Sequence, residues 1–241
     1  MKLEKKAVER THSLIKSQQP LCEQIANSLE DRILKNKENG KRLPSEMALV
    51  NEYGVSRSVI REALKTLKER GLVSTRAGGR TRITIPESEI ISRAVGRVTK
   101  FHGVHDEKIF EVRSILESAA VAAATEYATA ADIKSLSEIV DEMSLCKNDC
   151  KNDRKNRARF DCEFHYMIAK MSRNELLSFM IQSFMDILME YIQKRLQIYP
   201  AGHEAGIIGH RGIIKAIESH NSSLARKRMV RHIEVSFHQI D

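Results

Sequence analysis

The chain has 241 residues, of which 41 % are hydrophobic, enough for two modest domains with a core each and too many for disorder over most of its length. No apolar run approaches the about 18 residues of a membrane span, and the N-terminus MKLEKKAVERTHSLIKSQQ lacks an apolar signal core, so membrane insertion and export are excluded and a cytoplasmic protein is expected. The positive excess is N-terminal: residues 1–86 carry 18 basic and 10 acidic side chains and the remainder 22 of each, which suggests a nucleic-acid-binding module followed by a domain with another partner.

Residues 1–19 read as a flexible basic arm. PLCEQIANSLEDRILKN (20–36) then repeats apolar residues at Leu21, Ile25, Leu29 and Ile33, which predicts a first helix with Pro20 at its start. NGKRLP breaks it, Ser45 stands where an N-cap belongs for EMALVNEY, and Gly54 closes that short helix. Ser56 is placed to cap a third helix running to about Arg70. Two helices joined by a short turn with a glycine have the sequence form of a helix-turn-helix. In the third helix, Arg57, Arg61 and Lys65 fall within roughly 80° of one another, while Val59, Ile60, Ala63, Leu64 and Leu67 occupy the opposite arc. One face suits a core and the other an anionic partner, although most charged helix faces are simply solvated. LVSTRAGGRTRITIP follows as a two-stranded hairpin, turned at Gly78-Gly79, with Arg76, Arg80 and Arg82 near its tip.

GKRLPSEMALVNEYGVSRSVIREALKTLKERGLV together with GGRTRI resembles the winged helix-turn-helix of the GntR family of bacterial transcription regulators over residues 20–86. The resemblance implies that Arg42 and Arg57 contact double-stranded DNA, that Arg61 and Ser58 lie in its major groove, and that Gly78 or its neighbours approach DNA from the wing. Arginine either reads guanine edges or holds phosphate, and the sequence does not say which arginine does which. The wing is more basic and less apolar than the family's commoner PGRGTFV.

Residues 87–105 read as a linker, and residues 106–241 as an all-α six-helix antiparallel bundle, with 148–156 a charged, turn-rich interruption. Asp161 and His165, four apart, share a face with Phe164 and Ile168 and should point inward. His210 lies with Ile213, Ile214 and Ile217, and His232 among Leu224, Ala225, Met229 and Val235. One carboxylate and three imidazoles suit a divalent first-row metal, with Zn²⁺ the default and Mn²⁺ or Ni²⁺ as alternatives; a lone buried histidine is more often a core residue, and spacing alone leaves both readings open. The cysteines, Cys22, Cys146, Cys150 and Cys162, form no CxxC pair and are read as reduced thiols without a role.

VRSILESAAVAAATEYATAADI, DCEFHYMIAKMSRNELL and HRGIIKAIESHNSSLARKRMVRHI resemble the FCD effector domain of the FadR subfamily of GntR regulators. Its D-x3-H, H-x-x-I-x-x-A-I and terminal H-I elements imply metal ligation by Asp161, His165, His210 and His232. Arg113, in the R-x-x-L-E element, is a candidate anchor for an effector carboxylate, or else an ion-pair partner within the bundle. His220 and His238 match no ligand position and are expected at the surface. The whole chain thus reads as a homodimeric, DNA-binding repressor released from a palindromic operator by a small organic acid held at a metal site. A metal-ion sensor on the same scaffold is the nearest alternative. A metal-dependent hydrolase fused to a nucleic-acid-binding module is more remote, because no H-E-x-x-H is present and only Glu163 stands near the ligands as a base.

Overall fold

The structure, a computed structural model, describes residues 19–36, 40–75, 80–86, 88–146, 151–198 and 202–238. The N-terminal arm up to residue 18, the wing tip with Arg76 and Gly78, and Cys150 lie outside these residues, and nothing is described of the His238 side chain. The chain divides into two compact units, Met1–Ile90 and Ile91–Asp241.

In the first unit α1 (Leu21–Asn36), α2 (Glu46–Tyr53) and α3 (Arg57–Glu69) precede a hairpin of β1 (Val73–Ser74) and β2 (Arg82–Ile83). The strands pair antiparallel, Val73 with Ile83 and Ser74 with Arg82, and Arg42 adds an isolated bridge to Arg82. The turn between α2 and α3 follows from its local chemistry. Ser45 Oγ accepts from the Ala48 N–H at 3.1 Å and caps α2. Gly54, at φ 67°, ends α2 in the left-handed region and donates its N–H to the Val50 carbonyl, a conformation that costs glycine little. Ser56 then caps α3. Ile25, Leu29, Leu49, Ile60, Leu67 and Ile83 form a closed core, which leaves the opposite side of α3 to solvent. Arg70, just past α3, donates to Asn27 Oδ1 at 2.7 Å and pairs with Glu23 and Glu30, fastening α3 to α1.

The stretch expected as a linker is helical: α4 spans Ser88–His102. Ile90, Ile91, Ala94, Val95 and Val98 recur at three- and four-residue intervals with no proline among them, so this segment has a helical period of its own. Ser92 on it is buried and donates to the Ser183 carbonyl at 2.8 Å.

Six further helices follow: α5 (Asp106–Tyr127), α6 (Ala130–Leu145), α7 (Lys151–Met171), α8 (Glu175–Ile198), α9 (Gly202–Glu218) and α10 (Ser222–His238). They bury one continuous core that includes Phe110, Leu136, Phe164, Ile181, Ile213 and Met229. Thr129 and Asp132 close a reciprocal capping box at the start of α6. The interruption expected at 148–156 is shorter than its composition suggests, because α7 begins at Lys151. Lys and Arg are good helix formers, and Asp153 lies in the first turn, where the helix dipole favours an acid.

Candidate metal centre and DNA-reading face

Four side chains from three helices converge inside the bundle: Asp161 and His165 from α7, His210 from α9 and His232 from α10. One ligand-type atom from each lies within 4.8 Å of every other. His210 Nε2 is 3.4 Å from both Asp161 Oδ1 and His165 Nε2, the separation expected of neighbouring donors that each stand roughly 2.1 Å from a shared ion. His165, His210 and His232 are 1 %, 0 % and 7 % exposed, and the Asp161 side chain is 20 % exposed. Each residue arrives there with the apolar face of its helix. Phe164 and Ile168 are buried beside the α7 pair, Ile213 and Ile217 below His210, and Ala225 and Met229 below His232. The four residues singled out by spacing are therefore brought together, while His220 is exposed, with Nδ1 2.9 Å from the Thr125 carbonyl oxygen.

The electrostatics suit a cation. Burial, reinforced by the charges of His165, Arg157 and Arg113, pushes His210 well below the usual 6.5. Burial and the neighbouring His210 and His165 do the same to His232. Both rings are thus neutral near pH 7, with a lone pair to offer. Burial alone would raise the Asp161 pKa, but His165, Arg113, His232 and Arg157 outweigh it and keep the carboxylate ionised. The donor set therefore fits a divalent ion held by one carboxylate and three imidazoles.

Glu117 on α5, which the sequence did not single out, organises this centre. It is 1 % exposed; Oε1 accepts from Arg113 Nε, and Oε2 lies against His165 Nδ1. A carboxylate on the far nitrogen of a ligating histidine fixes the ring's tautomer and orientation. The Arg113 and Glu117 charges hold each other: the carboxylate stays low and the guanidinium high despite burial that favours the opposite. Arg113, 3 % exposed, thus forms the ion pair within the bundle that was one of its two readings. Its Nη2 is nevertheless buried with no hydrogen-bond partner among the described residues. A signal existed in the i, i+4 spacing of Arg113 and Glu117, but what Glu117 faces depends on α7.

Gly209 on α9 was also missed. A Cβ there would lie 2.4 Å from His232 Nδ1, so only glycine lets α9 pass this close to the ring. One turn on, a Cβ at Gly212 would meet Arg228 Nη1 at an ordinary 3.6 Å. Alanine favours a helix interior over glycine by about 0.5–1 kcal/mol. Gly212→Ala is therefore expected to raise stability slightly, whereas Gly209→Ala, with the same propensity gain, should displace His232 and lower both stability and metal content. Thermal unfolding and metal analysis of the two variants side by side check this.

In the first unit Arg42, Arg57, Ser58 and Arg61 are all exposed. Arg57, Ser58 and Arg61 occupy α3, and the Arg57 Nε donates to Glu46 Oε2 on α2 at 2.9 Å. Ser58 Oγ is 2.9 Å from the capping Ser56 Oγ. Glu46 had no assigned role in the sequence reading; it holds the Arg57 guanidinium in place at the start of the exposed face.

Comparison with known proteins agrees with both units. The family described as "Bacterial regulatory proteins, gntR family" matches residues 21–83, and the FCD domain matches residues 108–235. The HTH-type transcriptional repressor NanR of Edwardsiella tarda is 30 % identical over 90 % of this chain and 84 % of its own length. The Glc operon transcriptional activator of Escherichia coli K12 is 30 % identical over 72 % and 69 %. Among solved structures, Streptococcus agalactiae GntR superposes with a TM-score of 0.68 at 29 % identity, over 89 % of this chain and 98 % of that one. These relatives are transcription regulators, not enzymes, so the hydrolase reading falls away, and no described helix is long and apolar enough to cross a membrane. The chain belongs to the GntR family of bacterial regulatory proteins, as a DNA-binding transcription regulator with a winged helix-turn-helix and a C-terminal FCD domain.

Proposed function

We propose that this regulator is a homodimeric repressor, released from a palindromic operator when a small organic acid binds at a divalent metal in the C-terminal domain. Its parts are a basic arm (1–19), a DNA-binding domain (20–86), a connecting helical segment (87–105) and an effector-binding and dimerisation domain (106–241). The metal, with Zn²⁺ expected and Mn²⁺ or Ni²⁺ as alternatives, is held by Asp161, His165, His210 and His232. When bound, it supplies a fixed positive charge that attracts a carboxylate or hydroxy-carboxylate. Arg42, Arg57, Ser58 and Arg61 are the DNA contacts, with Gly78 at the wing. The cytoplasm is where such a protein meets its operator.

The observation that carries the effector assignment is Arg113 Nη2, a buried guanidinium nitrogen without a hydrogen-bond partner among the described residues, on the helix that also orients His165 through Glu117. An unpaired buried donor of this charge costs stability unless something fills its place, and an acid oxygen does so with a charge-assisted bond. Glu117, already shared with Arg113 Nε and His165, keeps the guanidinium aimed. Burial of all three histidines favours a retained metal over a metal that comes and goes as the signal. Exposed Phe101 on α4 and Ile115 on α5 are apolar surface that a second copy would cover.

The test is calorimetric titration of the metal-loaded chain with a panel of hydroxy acids, sugar acids and dicarboxylates, repeated on Arg113→Lys. The lysine keeps a charge for Glu117 but lacks the planar fork. The expected result is a variant that keeps its metal and binds the active acid at least about tenfold more weakly, the loss of one charge-assisted bond. Equal affinity in the two proteins would place the acid away from Arg113.

A further inference from the structure

The residues from 87 onward carry 22 basic and 22 acidic side chains, so a neutral average is the background against which any local charge stands out. It stands out in the groove between α9 and α10. This concavity, about 660 Å³, is walled by Arg211 and Lys215 on one helix and Arg228 and Arg231 on the other, and no carboxylate lines it among the described residues. Gly209, Gly212 and His232 line it as well.

We infer that the groove is a binding site for a small polyanion, a molecule with two or more negative charges such as a phosphorylated acid or a dicarboxylate. Its volume falls within the about 300–1,000 Å³ of small-molecule sites. Two of the four cations are partly engaged by the protein: Arg211 Nη2 donates to the exposed Asp141 Oδ1 at 3.1 Å, and Arg228 Nη1 donates to the Gly212 carbonyl. The Arg228 contact braces the guanidinium against the α9 backbone without neutralising it. Lys215 and Arg231 project from the exposed rim. Arginines clamp phosphate and carboxylate through paired N–H donors, and a lysine adds a point charge. A singly charged acid would use one of these cations and leave the others facing each other across the groove. A multiply charged one spans them.

His232 ties this site to the metal centre. Its ring lines the groove, and it lies so close to the α9 backbone at Gly209 that a Cβ there would stand 2.4 Å from Nδ1. An occupant of the groove therefore packs against a ring that belongs to the candidate metal cluster. The groove itself does not depend on the metal reading; only this connection rests on it.

The experiment titrates the full-length protein, with and without metal, with 3-phosphoglycerate, succinate and, as the singly charged control, lactate. The same titrations are run on a Lys215→Glu/Arg231→Glu variant, whose substituted residues are exposed and outside the metal cluster. At least one of the two polyanions should bind the wild type, with or without metal, and bind the variant at least about tenfold more weakly, while metal content and unfolding temperature stay unchanged. Binding of 3-phosphoglycerate alone identifies the occupant as an organic phosphate, and binding of succinate as a dicarboxylate. Absence of both from the wild type, or equal binding to the variant, overturns the inference. So does a variant that retains polyanion affinity but loses operator affinity, since the face would then belong to DNA. A wild type that holds no metal yet binds the polyanion leaves this inference standing and removes the metal reading instead.

Discussion

Replacing His210 with alanine is expected to abolish high-affinity metal binding and to lower the unfolding temperature by roughly 5 to 10 °C relative to the metal-loaded wild type. Linkage sets the size: an ion bound only by the folded state, at about a hundredfold over its dissociation constant, contributes about 2.7 kcal/mol, and a domain of this size loses roughly 2 to 4 °C for each kcal/mol. The substitution also leaves a cavity beside Phe164, whose ring centroid is 4.4 Å from that of His210, so chelated wild type is the proper reference for the metal's share. His232→Ala should behave alike. The pH dependence has a definite sign. His210 and His232 are both held well below 6.5, so between their folded values and 6.5 the unfolded chain binds more protons than the folded one. The stability of the neutral rings is fully present above pH 6.5 and is lost as the pH falls below it, and metal affinity falls in the same direction because protons compete for the same nitrogens. Metal analysis after dialysis at pH 7.5 and at pH 5.5 measures the effect.

Arg57→Ala and Arg61→Ala are each expected to weaken operator binding by about 1 to 3 kcal/mol if the side chain reads a guanine, with relaxed specificity at one base pair. If it holds phosphate, all sequences should weaken alike and the salt dependence should flatten by about one unit. Neither change should affect folding, because both side chains are exposed and α3 is fixed from its other side by Ile60, Ala63 and Leu67. Arg57 carries a further consequence of its pairing with Glu46. Glu46→Gln frees the guanidinium from its charged partner while keeping a hydrogen-bonding group, so it should change operator affinity only weakly in the Arg57→Ala background and clearly in the wild type. Fluorescence anisotropy on a labelled operator across a salt series reads all of these.

What the sequence disclosed and what it hid divide along the range of the interactions. Ser45, Gly54 and Ser56 were legible because a cap is a contact across three or four residues. The face of α3 was legible because its apolar and basic arcs repeat at the helical period. Asp161 and His165 share one helix turn, but bringing His210 and His232 to them takes two more helices, so spacing alone left the cluster undecided and the family resemblance pointed to it. Glu117 and Gly209 were not legible for the same reason. Their importance lies in what faces them, His165 from α7 and His232 from α10: the R-x-x-L-E element and the i, i+4 spacing mark Glu117 only as a partner for Arg113, and nothing local marks the glycine. The α4 helix and the early start of α7 were hidden differently: polar and charged residues at 87–105 and 148–156 look like connections, although their helix propensities permit a regular backbone.

Under the proposed function, an acid at the metal centre and DNA at α3 bind one protein in opposition. The direct measurement is operator affinity of the metal-loaded chain as the active acid is added, paired with acid affinity in the presence and absence of operator. A ligand releases DNA only if it prefers the DNA-free conformation, and linkage makes the two effects equal. Operator binding is expected to weaken by roughly 5- to 150-fold, with the same factor in the reverse titration and loss of both in His210→Ala. A His210→Ala protein shown to lack metal that still responds to the acid with wild-type affinity would contradict the proposed function.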